Sequence, residues 1–317
     1  MTAIFFLRFL VVFVQLINFS RMSSSSFPLF RLPSLALKEI IEMIELKEQC
    51  KLSFCSKRMY YIVKYYRGKL PLLLKLIGSK DYTEIYIFNQ KSLTQMFLKN
   101  AVGFEVRADG IYRFGIFGWH SYDGKFIRFD ETDRLCSHGK NVIEGTKFLI
   151  EFLCDLFAAK VEEVSVNVNN IWMLDFVEKR QGGYSYDAVV RYNIRWTDEQ
   201  SRHILLDLNP RSLDFHQAAS DEFRIKNFTK KYESLTIGGC GGKWMTAENL
   251  CQLNCVELNI RGQYFSNTEI NRYLRHVLSG GAPRLRNFST AVWNSTVNVI
   301  MDGIRELWTE IERIPIE

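Results

Sequence analysis

Two stretches of this chain echo each other at a distance that narrows the possible folds. Leu235 and Ile237, within Tyr232-Glu233-Ser234-Leu235-Thr236-Ile237, are followed 23 residues later by Leu258 and Ile260, within Cys255-Val256-Glu257-Leu258-Asn259-Ile260. Each stretch alternates with the period of two that sends side chains to opposite faces of a strand. Between them, Thr246 and Ala247 open a short helix that ends near Leu253. Another helix follows: Ser266 and Glu269 have capping-box spacing, Ile270, Leu274, Val277 and Leu278 supply an apolar stripe, and Gly280, Gly281 and Pro283 stop it. Leu285 and Phe288 then begin a new strand. Units of this length bury one helix face and one strand face against their neighbours, which predicts a curved stack with a parallel sheet on one side.

The alternation also appears upstream. Phe148, Leu149, Phe152, Leu153 and Leu156 have helical spacing, and Val164-Ser165-Val166-Asn167-Val168 alternates as a strand. Before that, the chain is strand-like and aromatic. Glu84 to Phe88 reads as a strand, and Ile111 to Trp119 and Lys125 to Phe129 flank Asp123-Gly124, a strong hairpin signal. With 47% apolar and 24% charged residues the chain has the composition of a folded globular protein, and 317 residues favour two units.

The N-terminal part differs in character. Phe27-Pro28-Leu29-Phe30-Arg31-Leu32-Pro33 is extended, because residues before proline are pushed away from the helical region. Ser34 can cap the helix that follows, in which Leu37, Ile40, Ile41 and Ile44 recur at i, i+3, i+4 and i+7. A second helix is expected over Leu46 to Cys55 and a third over Ser56 to Tyr66, with Met59, Ile62, Val63 and Tyr66 in helical spacing. At about 45 residues such a segment is small for an independent core and usually completes it against a partner chain or a neighbouring domain. Phe27 to Leu70 contains nine Lys or Arg against four Glu, most of the net charge of +6, so an acidic partner is steered here.

These residues resemble a known family. Leu32-Pro33, then Leu37 with Ile40 and Ile41, then Leu46, then Leu52-Ser53-Phe54-Cys55-Ser56-Lys57-Arg58 are similar to the F-box, by which substrate receptors dock onto the acidic Skp-type adaptor of a cullin–RING ubiquitin ligase. The run Phe27 to Arg58 is particularly similar to the F-boxes of the large nematode families. The resemblance implies that Leu32 and Pro33 lie against the adaptor, that Leu37, Ile40, Leu46 and Leu52 build the interface and its supporting core, and that Lys57 and Arg58 meet acidic side chains. The same apolar positions also suit an ordinary three-helix core, and for Ile40, Ile41 and Ile44 both readings stand.

Downstream, Tyr232-Glu233-Ser234-Leu235, Asn271-Arg272-Tyr273-Leu274 and Gly280-Gly281-Ala282-Pro283-Arg284-Leu285 resemble the F-box-associated domain of type 2. The expected fold is therefore α/β, a small three-helix F-box followed by a leucine-rich-repeat-like array of alternating strands and helices. The expected organisation is an apolar leader (1–22), an F-box (27–70), an unassigned strand-rich region (71–144), an F-box-associated repeat-like domain (145–305) and a tail (306–317). The implied role is that of a non-catalytic substrate-recognition subunit, docking the adaptor and through it a cullin at one end and a target protein at the other. A membrane-anchored or scaffolding protein outside ubiquitination is the alternative.

The leader leaves the location open. Ala3 to Phe19 is almost wholly apolar, at the lower edge of a membrane span. It lacks a preceding basic segment and a small-x-small cleavage site, which argues against a signal peptide. As an anchor it leaves Arg21, Arg31 and Lys38 on the downstream side, which keeps the body cytoplasmic. Translation starting at Met22 removes it. Outside the secretory route, the seven cysteines, Cys50, Cys55, Cys136, Cys154, Cys240, Cys251 and Cys255, read as reduced thiols of a cytoplasmic or nuclear protein, without paired zinc-ligand spacing.

Other motifs carry little chemistry. Gly238-Gly239-Cys240-Gly241-Gly242-Lys243 departs from a phosphate-binding loop at Ile237, where glycine is required, and at Trp244, where Ser or Thr is required. Cys240 has no activating His or Asp at an evident distance. Asp207, Asp214, Asp221 and Glu222 read as solvated loop charges, and Arg224, Lys226, Lys230 and Lys231, interleaved with Phe223 and Phe228, as a solvated helix face rather than a nucleic-acid surface. No cofactor is implied.

Overall fold

In the computed structural model of the protein, the described residues are 31–68, 71–79, 82–89, 102–107, 126–129, 135–138, 142–182, 185–191, 196–216, 220, 222–238, 244–292 and 294–304. The apolar leader, Met22, the stretch Ile111 to Trp119, the Asp123-Gly124 turn, Asp221, Gly239 to Lys243 with Cys240, and the tail 306–317 lie outside them. The chain divides between Lys69 and Leu70 into two compact units.

Among the described residues, the first unit is built from three helices, α1 (Ser34–Met43), α2 (Leu46–Cys55) and α3 (Lys57–Tyr66). Ser34 starts α1 rather than capping it. Pro33 takes the cap position in an extended conformation with no side-chain cap, and its carbonyl accepts from Leu37 N at 3.0 Å. The next junction is capped as serine normally does it: Ser56 Oγ accepts from Met59 N at 3.1 Å. Ile41, Cys50 and Val63 are fully buried, with Ile40, Met59, Leu37, Phe54 and Tyr60 around them. Gln49 is a buried polar member of this core. Its amide donates to Ile41 O at 3.0 Å and Ile44 O at 2.9 Å, satisfying carbonyls left orphaned at the end of α1.

The second unit contains one eleven-stranded sheet, ordered β11-β10-β9-β8-β7-β6-β1-β2-β3-β5-β4. β1 (Leu72–Gly78), β2 (Tyr82–Asn89), β3 (Val102–Arg107), β4 (Phe126–Phe129) and β5 (Leu135–His138) come from the strand-rich region, and helix α4 (Val142–Phe157) follows them. From there β6 (Lys160–Val166), β7 (Asp187–Val190), β8 (Ser212–Phe215), β9 (Lys231–Ile237), β10 (Asn254–Phe265) and β11 (Asn287–Val292) add to the sheet in chain order, each parallel to the last.

The pairing register explains the spacing in the sequence. Val164 lies opposite Ala188, Ala188 opposite Leu213, Leu213 opposite Leu235, Leu235 opposite Leu258 and Leu258 opposite Phe288. Val166, Val190, Phe215, Ile237 and Ile260 form a second apolar row two residues on. Nearly all of these side chains are fully buried, and half-buried Phe288 on the edge strand is the exception.

The connecting helices are α5 (Trp172–Gln181), α6 (Asp198–Arg202) continuing into a π-helical turn (His203–Asp207), α7 (Ala247–Gln252), α8 (Asn267–Leu278) and α9 (Val297–Ile300). Capping boxes at Thr197, Thr246 and Ser266 begin α6, α7 and α8. Residues 223–230 are irregular rather than helical. Phe223 and Phe228 are buried edge-on against Trp244, with ring centroids 5.7 and 5.5 Å away, while Arg224 and Lys226 stay exposed. Burying both aromatic rings requires an extended path that a helix does not provide.

Candidate functional site

Each unit presents one surface with the composition of a contact site. In the first, Leu32 is half-buried and Pro33 exposed at the entry to α1, Leu37 and Ile40 are buried on α1, Leu46 and Leu52 are half-buried on α2, and Lys57 and Arg58 are exposed in the first turn of α3. Leu37 and Ile40 therefore serve the interior of the unit. The partly exposed members of the set are Leu32, Pro33, Leu46 and Leu52, with the two cations. Two further apolar side chains, Leu35 at 68% and Met43 at 50% exposure, also face solvent. The sequence carried a signal for them, since they are apolar positions of α1 outside its buried stripe. On α3, Tyr61 and Tyr65 are exposed at 57% and 80%, beside Arg58, Lys64 and Arg67. Aromatic residues and arginine together are the composition of interface centres rather than of ordinary surface.

In the second unit the face opposite the apolar rows carries polar side chains in the same register. Glu163, Asp187, Ser212, Ser234, Glu257 and Asn287 form one row. Ser165, Asp214, Thr236, Asn259 and Ser289, interrupted by the apolar Val189, form the next. Asp214 is thus a strand residue of this face and not a loop charge. Arg211 donates to Asp187 at 3.0 and 2.7 Å and to Glu162 at 2.6 Å, and Lys75 pairs with Glu163 at 2.7 Å. The hydrogen bonds to Asp187 lead in raising the Arg211 pKa, against the desolvation that would lower it.

The helix side holds a separate polar cluster. His203 Nε2 lies 2.8 Å from Asp175 Oδ1 and its Nδ1 lies 3.0 Å from Asp207 Oδ2. Asp207, read from the sequence as a loop charge, sits in the π-helical turn. Cys50, Cys55, Cys154, Cys251 and Cys255 are free thiols. Burial pushes the Cys154 thiol up to about 11 and Cys255 to about 12, so neither is a ready nucleophile at neutral pH. Among the described residues, no three His, Cys, Asp or Glu side chains gather as metal ligands, and no helix is long and apolar enough to cross a membrane.

The three helices coincide with a family match. The F-box domain family matches residues 29–70, and the F-box associated family matches residues 223–290, which hold β9, α7, β10, α8 and the start of β11. The chain carries an F-box and an F-box-associated domain. The F-box match ends at residue 70, one residue past the end of the first unit, and the F-box-associated match falls within the wider span 145–305 expected from sequence. F-box domains in general bind Skp-type adaptors and F-box-associated domains bind substrates. No curated protein and no solved structure matches the chain.

Proposed function

We propose that this protein is the substrate-recognition subunit of a cullin–RING ubiquitin ligase. The observation that carries the reading is the partly exposed Leu32, Pro33, Leu46 and Leu52 set within a matched F-box, with Lys57 and Arg58 exposed at the start of α3. On this reading Leu32, Pro33, Leu35, Met43, Leu46 and Leu52 form the apolar contact, Leu37 and Ile40 support it from inside, and Lys57 and Arg58 meet acidic side chains of the Skp-type adaptor. The cullin is recruited through that adaptor.

The sheet of β6 to β11 is a leucine-rich-repeat-like array whose polar face holds the target protein. Its registered rows and chain-order stacking support this reading. The protein works as a non-catalytic receptor in the cytoplasm or nucleus, and a separate conjugating enzyme gains by the proximity it imposes.

The test is co-purification of the full chain with a Skp-type adaptor, with and without the double substitution Leu32→Ala, Pro33→Ala. Loss of the adaptor, with an unchanged unfolding profile of the second unit, is expected. Undiminished binding by the double variant discards the docking assignment.

A further inference from the structure

On the open face of β9, β10 and β11, Ser234, Thr236, Glu257, Asn259, Arg286 and Asn287 are among the residues lining a recess of about 410 Å³. That size lies toward the lower end of the ligand-site range, about 300–1,000 Å³. Its charges are arranged differently from those of the neighbouring strands. Glu163 is matched by Lys75, Glu162 and Asp187 by Arg211, and Glu233 by Arg284. Arg191 donates to Ser165 at 2.7 Å. The carboxylates Glu162, Glu163, Asp187 and Glu233 each have a cationic partner within the protein.

The recess breaks this pattern. Arg286 is exposed, its backbone N–H is held by Val256 O at 2.8 Å, and among the described residues its guanidinium has no hydrogen-bond or ion-pair partner. Glu257 is exposed and its carboxylate takes one long hydrogen bond, from Asn287 Nδ2 at 3.4 Å. The remaining polar lining, Ser234, Thr236, Asn259, Asn287 and Ser289, both donates and accepts.

An apolar segment laid here would strip water from one cation and one carboxylate and return nothing to either, which is costly. An extended chain carrying an acid for Arg286, a base for Glu257 and peptide groups for the hydroxyls and amides meets every one of these groups. Resting on the reading of this domain as the target-binding part, we propose that the recess binds an extended peptide segment of the target in which an acidic side chain lies within a residue or two of a basic one.

The test uses the full chain in complex with its Skp-type adaptor, probed with an immobilised array of 12-residue peptides of randomised sequence. Retained peptides are expected to be enriched in neighbouring acidic and basic residues. Arg286→Glu is expected to weaken them by about fivefold or more, the scale of losing an exposed charge contact and adding a repulsion. The same variant should shift the retained set toward peptides that lack the acid. Arg286→Gln, which removes the charge without reversing it, should fall between, and an unfolding temperature equal to that of the parent shows that either variant is folded. Retention of neutral or apolar peptides, retention of no peptide, or a retained set unchanged by Arg286→Glu overturns the proposal. The adaptor is read in the same samples. Its loss from the parent complex fails the docking assignment, whereas its presence with no charge-dependent retention fails the recess alone.

Discussion

Gln49 holds the first unit together in a way its position in a helical run does not announce. Its side-chain amide reaches back to two carbonyls at the end of α1, in a mostly apolar core whose other buried polar side chain among the described residues, Ser53, donates to Cys50 O at 2.6 Å. Gln49→Leu removes both hydrogen bonds and leaves those acceptors facing a methyl group, so it should destabilise the first unit by about 1–3 kcal/mol, measured by denaturant unfolding followed by circular dichroism. His203 makes a second residue-scale prediction. Partial burial of the ring disfavours its charge, but the hydrogen bonds to Asp207 and Asp175 and their negative charge together outweigh that and raise its pKa above the ordinary value. A raised folded pKa gives stability that is complete below the unfolded pKa, near 6.5, and is lost as pH rises through the folded value. The denaturation midpoint of the second unit should therefore fall, as pH rises from about 6.5 through the raised folded value, by more in the parent than in His203→Asn. Equal falls in the two proteins would mean that the clamp contributes nothing. Neither feature was legible in the sequence, because Gln49 and Ile41 are neighbours only once α1 and α2 have packed, and Asp175 of α5 meets His203 of the π-helical turn only across β7. The F-box match over these residues was legible because the run from Leu32 to Arg58 follows a fixed local spacing.

Elements were legible where a local pattern was strong and hidden where pairing alone makes them. The stripes of α1, α4 and α8 and the alternation of β9 and β10 stand out in any short window. β7 and β8 have four residues each and are strands because neighbours already in the sheet hold them in register. The basic and aromatic residues at 223–230 misled for the same reason: a helix-like mixture became an extended loop once Trp244 took up both phenylalanines. Caps and rows should differ in weight. Ser266→Ala removes the hydroxyl that accepts from Glu269 N at 3.2 Å, and should cost about 1 kcal/mol. Leu235→Ala opens a cavity in a fully buried row flanked by Leu213 and Leu258, and should cost about 2–5 kcal/mol. Both are read as shifts in the denaturation midpoint of the second unit. A cap that costs more than the row would contradict the view that the stacked apolar rows carry its stability.

For the whole molecule the decisive fact is the unequal size of the two units. The second has rows of buried side chains across its sheet, whereas the first has, among the described residues, three ten-residue helices, and a core of that size supplies only a few kcal/mol. Apolar side chains that stay exposed, such as Leu35 and Met43, add nothing to that core until something covers them. If a Skp-type adaptor is what covers them, it binds the folded first unit and not the unfolded one, and mass action must then stabilise that unit alone. Titrating adaptor to about 100 times its Kd should raise the stability of the first unit by about 2.7 kcal/mol and leave the transition of the second where it was. The experiment follows the two transitions by hydrogen exchange on the full chain, with Leu32→Ala, Pro33→Ala as the control that should respond to adaptor in neither unit. A rise spread equally over both units would mean that the adaptor grips more than the F-box, and no rise in the parent would mean that the exposed ridge belongs to some other partner.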